Sequence, residues 1–153
     1  MSESMLQLRE IQEVSKKKVL ILCTGNSCRS HMAEGLVNHY LGDEWTAYSA
    51  GTEPAGSVHP LAIAVLAELD IDISGHTSKS TEYFRNKELD WVITICDDAA
   101  DNCPVWLGQG NIAHIGFPDP AKAAGNDDEK MRVFRQIRDD IREQVLEFLP
   151  TVV

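Results

Sequence analysis

The sequence lacks any apolar run close to the roughly 20 residues that a membrane-spanning helix needs. It also lacks an excess of basic residues, since 14 Lys and Arg stand against 24 Asp and Glu and give a net charge of −10. Binding to a phosphate backbone needs a basic surface, so nucleic acid is excluded as the expected partner. The first 17 residues carry scattered charges and no apolar core, which argues against a signal peptide. We therefore expect a cytoplasmic protein with no membrane partner.

Cysteine is scarce as well. The 153 residues contain four cysteines, which are Cys23, Cys28, Cys96 and Cys103. In a cytosolic chain of this size a structural disulfide framework is not expected, so catalytic, redox or metal roles are preferred. No complementary Cys/His pair with zinc-binding spacing accompanies them, which disfavours a structural zinc site.

Predicted strands and helices alternate along the chain and are joined by short loops. Strands are predicted over 18–23, 45–50, 91–96 and 111–115, and helices over 27–41, 60–69, about 80–87 and 127–149. Such alternation builds a parallel sheet that helices cover on both faces. We therefore predict a single α/β domain over 18–153, a three-layer sandwich with a four-stranded, mainly parallel sheet. Residues 1–17 are predicted to be a polar N-terminal extension.

The segment 18–36 carries the strongest functional signal. An apolar strand ends at Cys23, a turn of small polar residues follows, and a helix begins near Arg29. Backbone N–H groups of such a turn, together with the unpaired first-turn donors of the helix, suit a tetrahedral oxyanion. The same donors and the guanidinium favour the thiolate form of the cysteine. We predict that Cys23 is a nucleophile and that the substrate is bound by Thr24, Gly25, Asn26, Ser27, Cys28 and Arg29.

Asp119 and Ser30 are further candidates for the chemistry. Asp119 lies between Pro118 and Pro120, which stiffen its loop and fix where its carboxyl points. A carboxylic acid above an oxyanion pocket can protonate a leaving oxygen, although a turn Asp that bonds its own backbone is the alternative. Ser30 can donate a hydroxyl hydrogen bond to the Cys23 thiolate, or it can be an ordinary serine of the first helical turn.

Cys96 and Cys103 distinguish redox chemistry from hydrolysis. Like Cys23 and Asp119, Cys96 follows a predicted strand, and ligands of parallel sheets bind outside the carboxyl ends of the strands. On a helix, the seven-residue spacing would separate the two cysteines by about 10 Å, whereas a disulfide needs Cα atoms within about 7 Å. A bond between them therefore requires the segment 97–102 to bend, which its small and acidic residues allow. Two buried packing cysteines are the alternative.

These motifs resemble the low-molecular-weight protein tyrosine phosphatase superfamily and, more closely, the thioredoxin-coupled arsenate reductases built on that fold. The resemblance rests on C-T-G-N-S-C-R-S at 23–30, M-A-E-G at 32–35, S-A-G-T at 49–52, D-I-S-G-H-T-S at 72–78, V-I-T-I-C-D-D-A-A-D-N-C-P at 92–104 and G-F-P-D-P-A at 116–121. His31 and Ala121 stand where the phosphatases usually have a proline and an aromatic residue. Both differences weaken the interpretation as a tyrosine phosphatase.

The resemblance implies that arsenate is reduced to arsenite by a relay of three cysteines, which serves arsenic detoxification. Cys23 attacks arsenate while Asp119 protonates the departing oxygen. Cys96 then attacks Cys23 and releases arsenite, and Cys103 attacks Cys96, so that thioredoxin reduces a Cys96–Cys103 disulfide. Cys28 takes no part in the relay. Phosphate and sulfate are expected to compete as oxyanions, and we expect a monomer with no tightly bound cofactor.

The same resemblance leaves open whether a potassium ion is bound. Some reductases of this kind bind potassium near the loop, through an acid and residues that match Asn26, Glu34, Ser49 and Thr77. In this sequence the position after Thr77-Ser78 is Lys79, whose ammonium could replace the ion.

Two other functions remain as alternatives. One is a phosphatase of the same fold, in which Cys96 and Cys103 are incidental. The other is a redox-sensing or oxyanion-binding module that does not turn over.

Overall fold

The structure is a computed structural model that describes residues 16–97, 106 and 108–152. Most of the predicted N-terminal extension lies outside these residues, and so do Cys103 and residues 98–102. Within the described part of the chain, no helix is both long enough and apolar enough to cross a membrane.

Four parallel strands form one sheet. The strands are β1 (Lys17–Cys23), β2 (Trp45–Gly51), β3 (Trp91–Thr94) and β4 (Asn111–His114), in the order β2-β1-β3-β4. The apolar run of β1, from Val19 to Leu22, is completely buried, as expected for a central parallel strand covered on both faces. The predicted four-stranded parallel sheet is confirmed, although β1 begins one residue earlier and β3 ends two residues earlier than predicted.

The side chains of β1 alternate between two apolar clusters on opposite faces of the sheet. Val19 and Ile21 lie in the larger cluster, and Leu20 lies in the smaller one with Phe84 and Trp106. The larger cluster is covered by α1 (Arg29–Tyr40), α2 (Pro60–Ala67) and α3 (Asp127–Phe148), which all contribute buried side chains to it. On the other face, the described residues supply a short 3-10 helix, Thr81–Phe84.

Several helices differ from the predicted ones in their ends or in their type. Local backbone conformation and capping hydrogen bonds explain the differences. α1 begins at Arg29 rather than at residue 27, because Asn26 has a left-handed backbone (φ 45°) and residues 24–28 form a loop. The segment predicted as a helix over 80–87 is a 3-10 helix. Ser80 caps it by accepting a hydrogen bond from the Glu82 N–H at 3.2 Å. α3 gives way after Phe148 to a 3-10 helix, Leu149–Val152.

The parallel order brings the carboxyl ends of β1, β3 and β4 to one edge of the sheet. The Ile95 N–H donates to the carbonyl of Leu22 at 2.9 Å, and the Phe117 N–H donates to the carbonyl of Ile95 at 3.1 Å. The segments that follow the three strands are therefore bonded to one another in strand order. Cys23 follows Leu22 and Cys96 follows Ile95, so both cysteines lie at this shared edge.

Candidate active site

The thiol of Cys23 lies inside the loop that joins β1 to α1. Its side chain is buried, and the Asn26 N–H donates to Cys23 Sγ at 3.2 Å. Ser30 Oγ lies 3.0 Å from the same sulfur. Asn26 Nδ2 donates to Ser30 Oγ at 2.9 Å, which leaves the hydroxyl hydrogen of Ser30 available to the sulfur. The geometry supports the prediction that Ser30 is a hydrogen-bond donor to this thiol.

The loop carbonyls are turned away from the thiol. Segment 53–59 donates its N–H groups to the carbonyls of Thr24, Gly25 and Ser27, at 2.9, 2.8 and 2.9 Å. Because the C=O and N–H of a trans peptide unit point in opposite directions, the N–H groups of the following residues face the sulfur side of the loop. Those residues are Gly25, Asn26 and Cys28. The loop therefore has the inward donors that an oxyanion site requires.

Gly51, at the end of β2, allows the loop to lie against the sheet. A Cβ atom at this position would meet the carbonyl oxygen of Thr24 at 2.5 Å and the backbone nitrogen of Asn26 at 2.8 Å. Both atoms belong to backbone and cannot move aside cheaply. The glycine of the S-A-G-T motif is thus required by close packing under the loop.

Arg29 connects the loop to the segment after β4. Its side chain is 4% exposed, and Nη1 donates to the carbonyl of Phe117 at 3.0 Å. Nη2 lies 3.8 Å from Asp119 Oδ2. The guanidinium is therefore fixed at the edge of the loop with a carboxylate beside it, which is the placement that the sequence predicts for both residues.

Asp119 makes the turn contact that the sequence allowed, and it also lies at the position predicted for the acid, next to Arg29. Its Oδ1 accepts the Ala121 N–H at 3.0 Å and so caps the short 3-10 helix Pro120–Lys122. The same carboxylate faces Arg29 and also accepts a hydrogen bond from Cys28 Sγ at 3.5 Å. The cap holds the carboxyl group in place at the mouth of the loop, so the structural role supports the proposed acid rather than competing with it.

Cys28 differs from Cys23 in its electrostatic surroundings. Burial, followed by the negative charge of Asp119, raises the pKa of the Cys28 thiol to about 12. The thiol is consequently protonated at neutral pH and acts as a donor to the carboxylate. This agrees with the prediction that Cys28 lies in the loop without being a redox thiol.

Cys96 is completely buried beyond the end of β3 and is disulfide-bonded. Cys23 and Cys28 are both free thiols, so neither of them is its partner. The structure therefore combines a free Cys23 thiol with a disulfide-bonded Cys96. Cys103 lies outside the described residues, and its predicted role is not addressed by the geometry.

Sequence reasoning missed a pair of histidines behind the loop. His31 is fully buried; its Nε2 lies 3.0 Å from the Asn26 carbonyl and its Nδ1 lies 3.2 Å from His76 Nδ1. Burial, with a smaller effect from the charge of Lys79, lowers the pKa of His31 to about 3, so the ring is neutral. A carbonyl can only accept, so the proton is on Nε2 and Nδ1 is bare. The polar His31 and Glu34, three residues apart in a buried helix segment, were the available sequence signal.

The residues predicted to surround a potassium ion bond to one another or to Lys79. The Ser49 hydroxyl donates to Glu34 Oε1 at 2.5 Å. Lys79 makes the other contacts: its Nζ donates to the Thr77 carbonyl at 2.8 Å, and its backbone N–H donates to Asn26 Oδ1 at 2.6 Å. An ammonium group therefore already bonds one of the predicted ligand residues.

The arrangement can bind a tetrahedral oxyanion and attack it with sulfur. Inward N–H groups and the Arg29 guanidinium complement the negative charge, and the Cys23 thiol lies at the base of the loop. Asp119 lies at the rim, where a proton can be delivered to a leaving oxygen. These groups would serve hydrolysis and reduction equally well. Only a second redox cysteine separates the two.

Comparisons with known proteins agree on the family. The family model described as low molecular weight phosphotyrosine protein phosphatase matches residues 18–153. The chain is 48% identical over 138 residues to an arsenate reductase of Halalkalibacterium halodurans, covering 90% of this chain and 99% of that protein. A solved arsenate reductase in the oxidized state superposes with a TM-score of 0.73 at 33% identity, covering 90% of this chain and 99% of that one. A thioredoxin-dependent arsenate reductase of Corynebacterium glutamicum is 26% identical with a TM-score of 0.59, covering 95% and 70%.

Proposed function

Because the chain belongs to the low molecular weight phosphotyrosine protein phosphatase family, we propose that it uses the family's oxyanion loop to reduce arsenate to arsenite. The observation that carries the proposal is the position of Cys96. Cys96, the proposed second redox cysteine, lies at the edge of the sheet where Cys23 ends β1, and a phosphatase has no use for a redox cysteine there. The reductases to which the chain is similar support the same choice.

The proposed reaction begins at the loop. The Cys23 thiolate attacks arsenic, forming a sulfur–arsenic bond, while Asp119 gives a proton to the oxygen that departs as water. Ser30 donates to the sulfur, and Arg29 with the loop N–H groups holds the remaining oxygens. Thr24, Gly25, Asn26, Ser27 and Cys28 supply the loop itself.

The electrons come from the cysteines. The Cys96 thiolate attacks Cys23 Sγ, the sulfur–arsenic bond breaks, and its electron pair stays on arsenic, which leaves as arsenite. Cys103 then attacks Cys96 and releases Cys23 as a thiol, so the oxidising equivalent ends as a Cys96–Cys103 disulfide. A free Cys23 beside an oxidised Cys96 is consistent with this last stage.

The reductant that closes the cycle is proposed to be thioredoxin. One similar solved protein is itself described as a thioredoxin-dependent arsenate reductase. We propose that the active unit is a monomer. Phosphate and sulfate have the same tetrahedral shape as arsenate, and we expect them to compete for the loop.

Lys79 is proposed to take the place of a potassium ion. Its ammonium donates to the Thr77 carbonyl, and its backbone N–H occupies Asn26 Oδ1, so two of the predicted potassium ligands already have donors. A bound cation would have to compete with this fixed positive charge. We therefore infer that arsenate reduction does not require potassium.

The test is steady-state arsenite production, followed by NADPH oxidation with thioredoxin and thioredoxin reductase present. Wild type should turn over repeatedly, and Cys96→Ser should not. Hydrolysis of p-nitrophenyl phosphate serves as the matched control, because it needs Cys23 but not Cys96. Repeated arsenate turnover by Cys96→Ser would contradict the relay, and absence of turnover by wild type would favour the sensing module.

A further inference from the structure

A cluster of three metal-binding side chains lies behind the oxyanion loop. His31, Glu34 and His76 each offer one ligand atom, and these atoms all lie within 4.8 Å of one another. α1 places His31 and Glu34 three residues apart, so both project from the same face of the helix. The side chain of His76 is 21% exposed and gives the cluster its access to solvent.

The hydrogen bonds around the cluster match those around metal ligands. His31 donates its Nε2 proton to the Asn26 carbonyl at 3.0 Å, and the lone pair of Nδ1 is left to face the cluster. A ligating histidine almost always anchors its other ring N–H in this way, and ligating carboxylates are themselves hydrogen-bonded. The Ser49 hydroxyl supplies the second of these contacts, to Glu34 Oε1.

The distances between the ligand atoms fit a small cation that binds both nitrogen and oxygen ligands. The facing Nδ1 atoms of His31 and His76 are 3.2 Å apart. Two nitrogens at this separation can both reach a metal at about 2.0–2.1 Å with an angle of roughly 100°, close to tetrahedral. Glu34 Oε2 lies 3.4 Å from the other ring nitrogen of His76, Nε2. The ligand atoms of all three residues lie within 4.8 Å of one another, so the carboxylate can complete a third bond once its side chain turns toward the two Nδ1 atoms.

We propose that His31, Glu34 and His76 form a binding site for a divalent cation of the zinc class. Two imidazoles and one carboxylate are a known donor set for Zn²⁺ with an open fourth position. Mg²⁺ and Ca²⁺, which prefer oxygen ligands alone, fit this set poorly. On binding, the proton that His76 Nδ1 directs at His31 Nδ1 moves to His76 Nε2, so that the Nδ1 atoms of both rings present a lone pair to the metal.

The site is connected to the loop through one residue. His31 holds the carbonyl of Asn26, and the Asn26 N–H donates to the nucleophilic sulfur. A bound metal would fix the His31 ring and therefore this part of the loop. Lys79 lies close enough to act on His31 through its positive charge. The same charge opposes binding of a metal cation at this site. The inference concerns binding alone and does not depend on arsenate being the substrate.

Calorimetric titration of the reduced full-length protein with Zn²⁺ tests the proposal. We expect one site that is weakened at least about 10-fold by His76→Gln and by Glu34→Gln, since loss of even an outer-shell partner costs this much. His39→Gln removes an exposed histidine from the same helix and should leave the affinity unchanged. His76 is partly exposed whereas Glu34 is buried, and thermal unfolding identifies any variant that does not fold.

Zinc also binds thiolates, so Cys23→Ser is titrated in parallel. Retained binding in Cys23→Ser, together with loss in His76→Gln, supports the histidine site. Loss in Cys23→Ser with retention in His76→Gln overturns it, and so does the absence of any binding to wild type. Co²⁺ provides an independent readout, because sulfur ligands give intense charge-transfer absorption and the proposed nitrogen and oxygen ligands do not. A cobalt spectrum with that absorption in both wild type and His39→Gln would refute the assignment.

Discussion

Replacing Asn26 by alanine and by glycine separates two contributions to the stability of the loop. Asn26 is fully buried, has a φ of 45°, and uses its side chain both to donate to Ser30 and to accept the Lys79 N–H at 2.6 Å. Either substitution removes these side-chain bonds. Only alanine also retains a Cβ in the left-handed region, where an L-residue other than asparagine or glycine is strained.

The magnitudes follow from these contacts. Leaving the Lys79 N–H without its acceptor costs about 1–2 kcal/mol, and the left-handed Cβ costs about 1–2 kcal/mol more. Asn26→Ala should therefore lower the free energy of unfolding by about 2–4 kcal/mol. Asn26→Gly avoids the strain, but the flexibility of glycine in the unfolded state lowers the free energy of unfolding by about 0.5–1 kcal/mol. We expect it to be the more stable variant by about 0.5–1 kcal/mol.

Urea unfolding of the two variants and of wild type measures both differences in the free energy of unfolding. The comparison requires that this free energy depends on urea concentration with the same slope in all three proteins. Activity should fall in both variants, because the backbone N–H that points at Cys23 is no longer held by the side chain. If alanine were as stable as glycine, the left-handed strain would only equal the flexibility cost of glycine, about 0.5–1 kcal/mol, and the expected strain of about 1–2 kcal/mol would be wrong. If both variants were within about 0.5 kcal/mol of wild type, the side-chain bonds would contribute no more than an ordinary surface contact.

The remaining predictions concern the charge and protonation of the site. Arg29→Lys keeps the positive charge but loses the planar fork, so kcat/KM for arsenate should fall about 10²-fold or more, while the exposed Arg135→Lys stays near wild type. Cys28 should resist iodoacetamide at pH 8 in the native protein, because its pKa of about 12 keeps the thiol protonated, and peptide mapping that finds it alkylated would contradict this. Replacing sodium by potassium should leave the wild-type rate unchanged, and a clear potassium activation would show that Lys79 does not substitute for the ion.

The parts of the fold that follow from short segments could be predicted from the sequence. The continuous apolar run Val19 to Leu22 predicted a buried parallel strand, and the turn residues after Cys23 predicted the loop. Asp119 was predicted at the edge of the sheet because it follows a predicted strand. Pro118 and Pro120 restrict its backbone in any fold, which fixes where its carboxyl points.

Contacts between distant positions could not be predicted in this way. The bond between His31 and His76 joins residues 45 positions apart, and nothing in either neighbourhood specifies the other. The capping role of Asp119 could be offered only as an alternative to the acid, because the sequence does not reveal that a single carboxylate serves both a cap and Arg29. Similarly, β3 ends at Thr94 although its apolar pattern continues to Cys96, and Ile95 still donates to the carbonyl of Leu22.

The central claim is the cysteine relay, and the pairing of thiols after a single arsenate tests it most directly. Fully reduced Cys103→Ser is mixed with one equivalent of arsenate without reductant, and the disulfides are identified by peptide mapping. The relay predicts a Cys23–Cys96 disulfide and one arsenite released per protein. Full thioredoxin-linked turnover by Cys103→Ser, or arsenite release without a disulfide that contains Cys23, would contradict it.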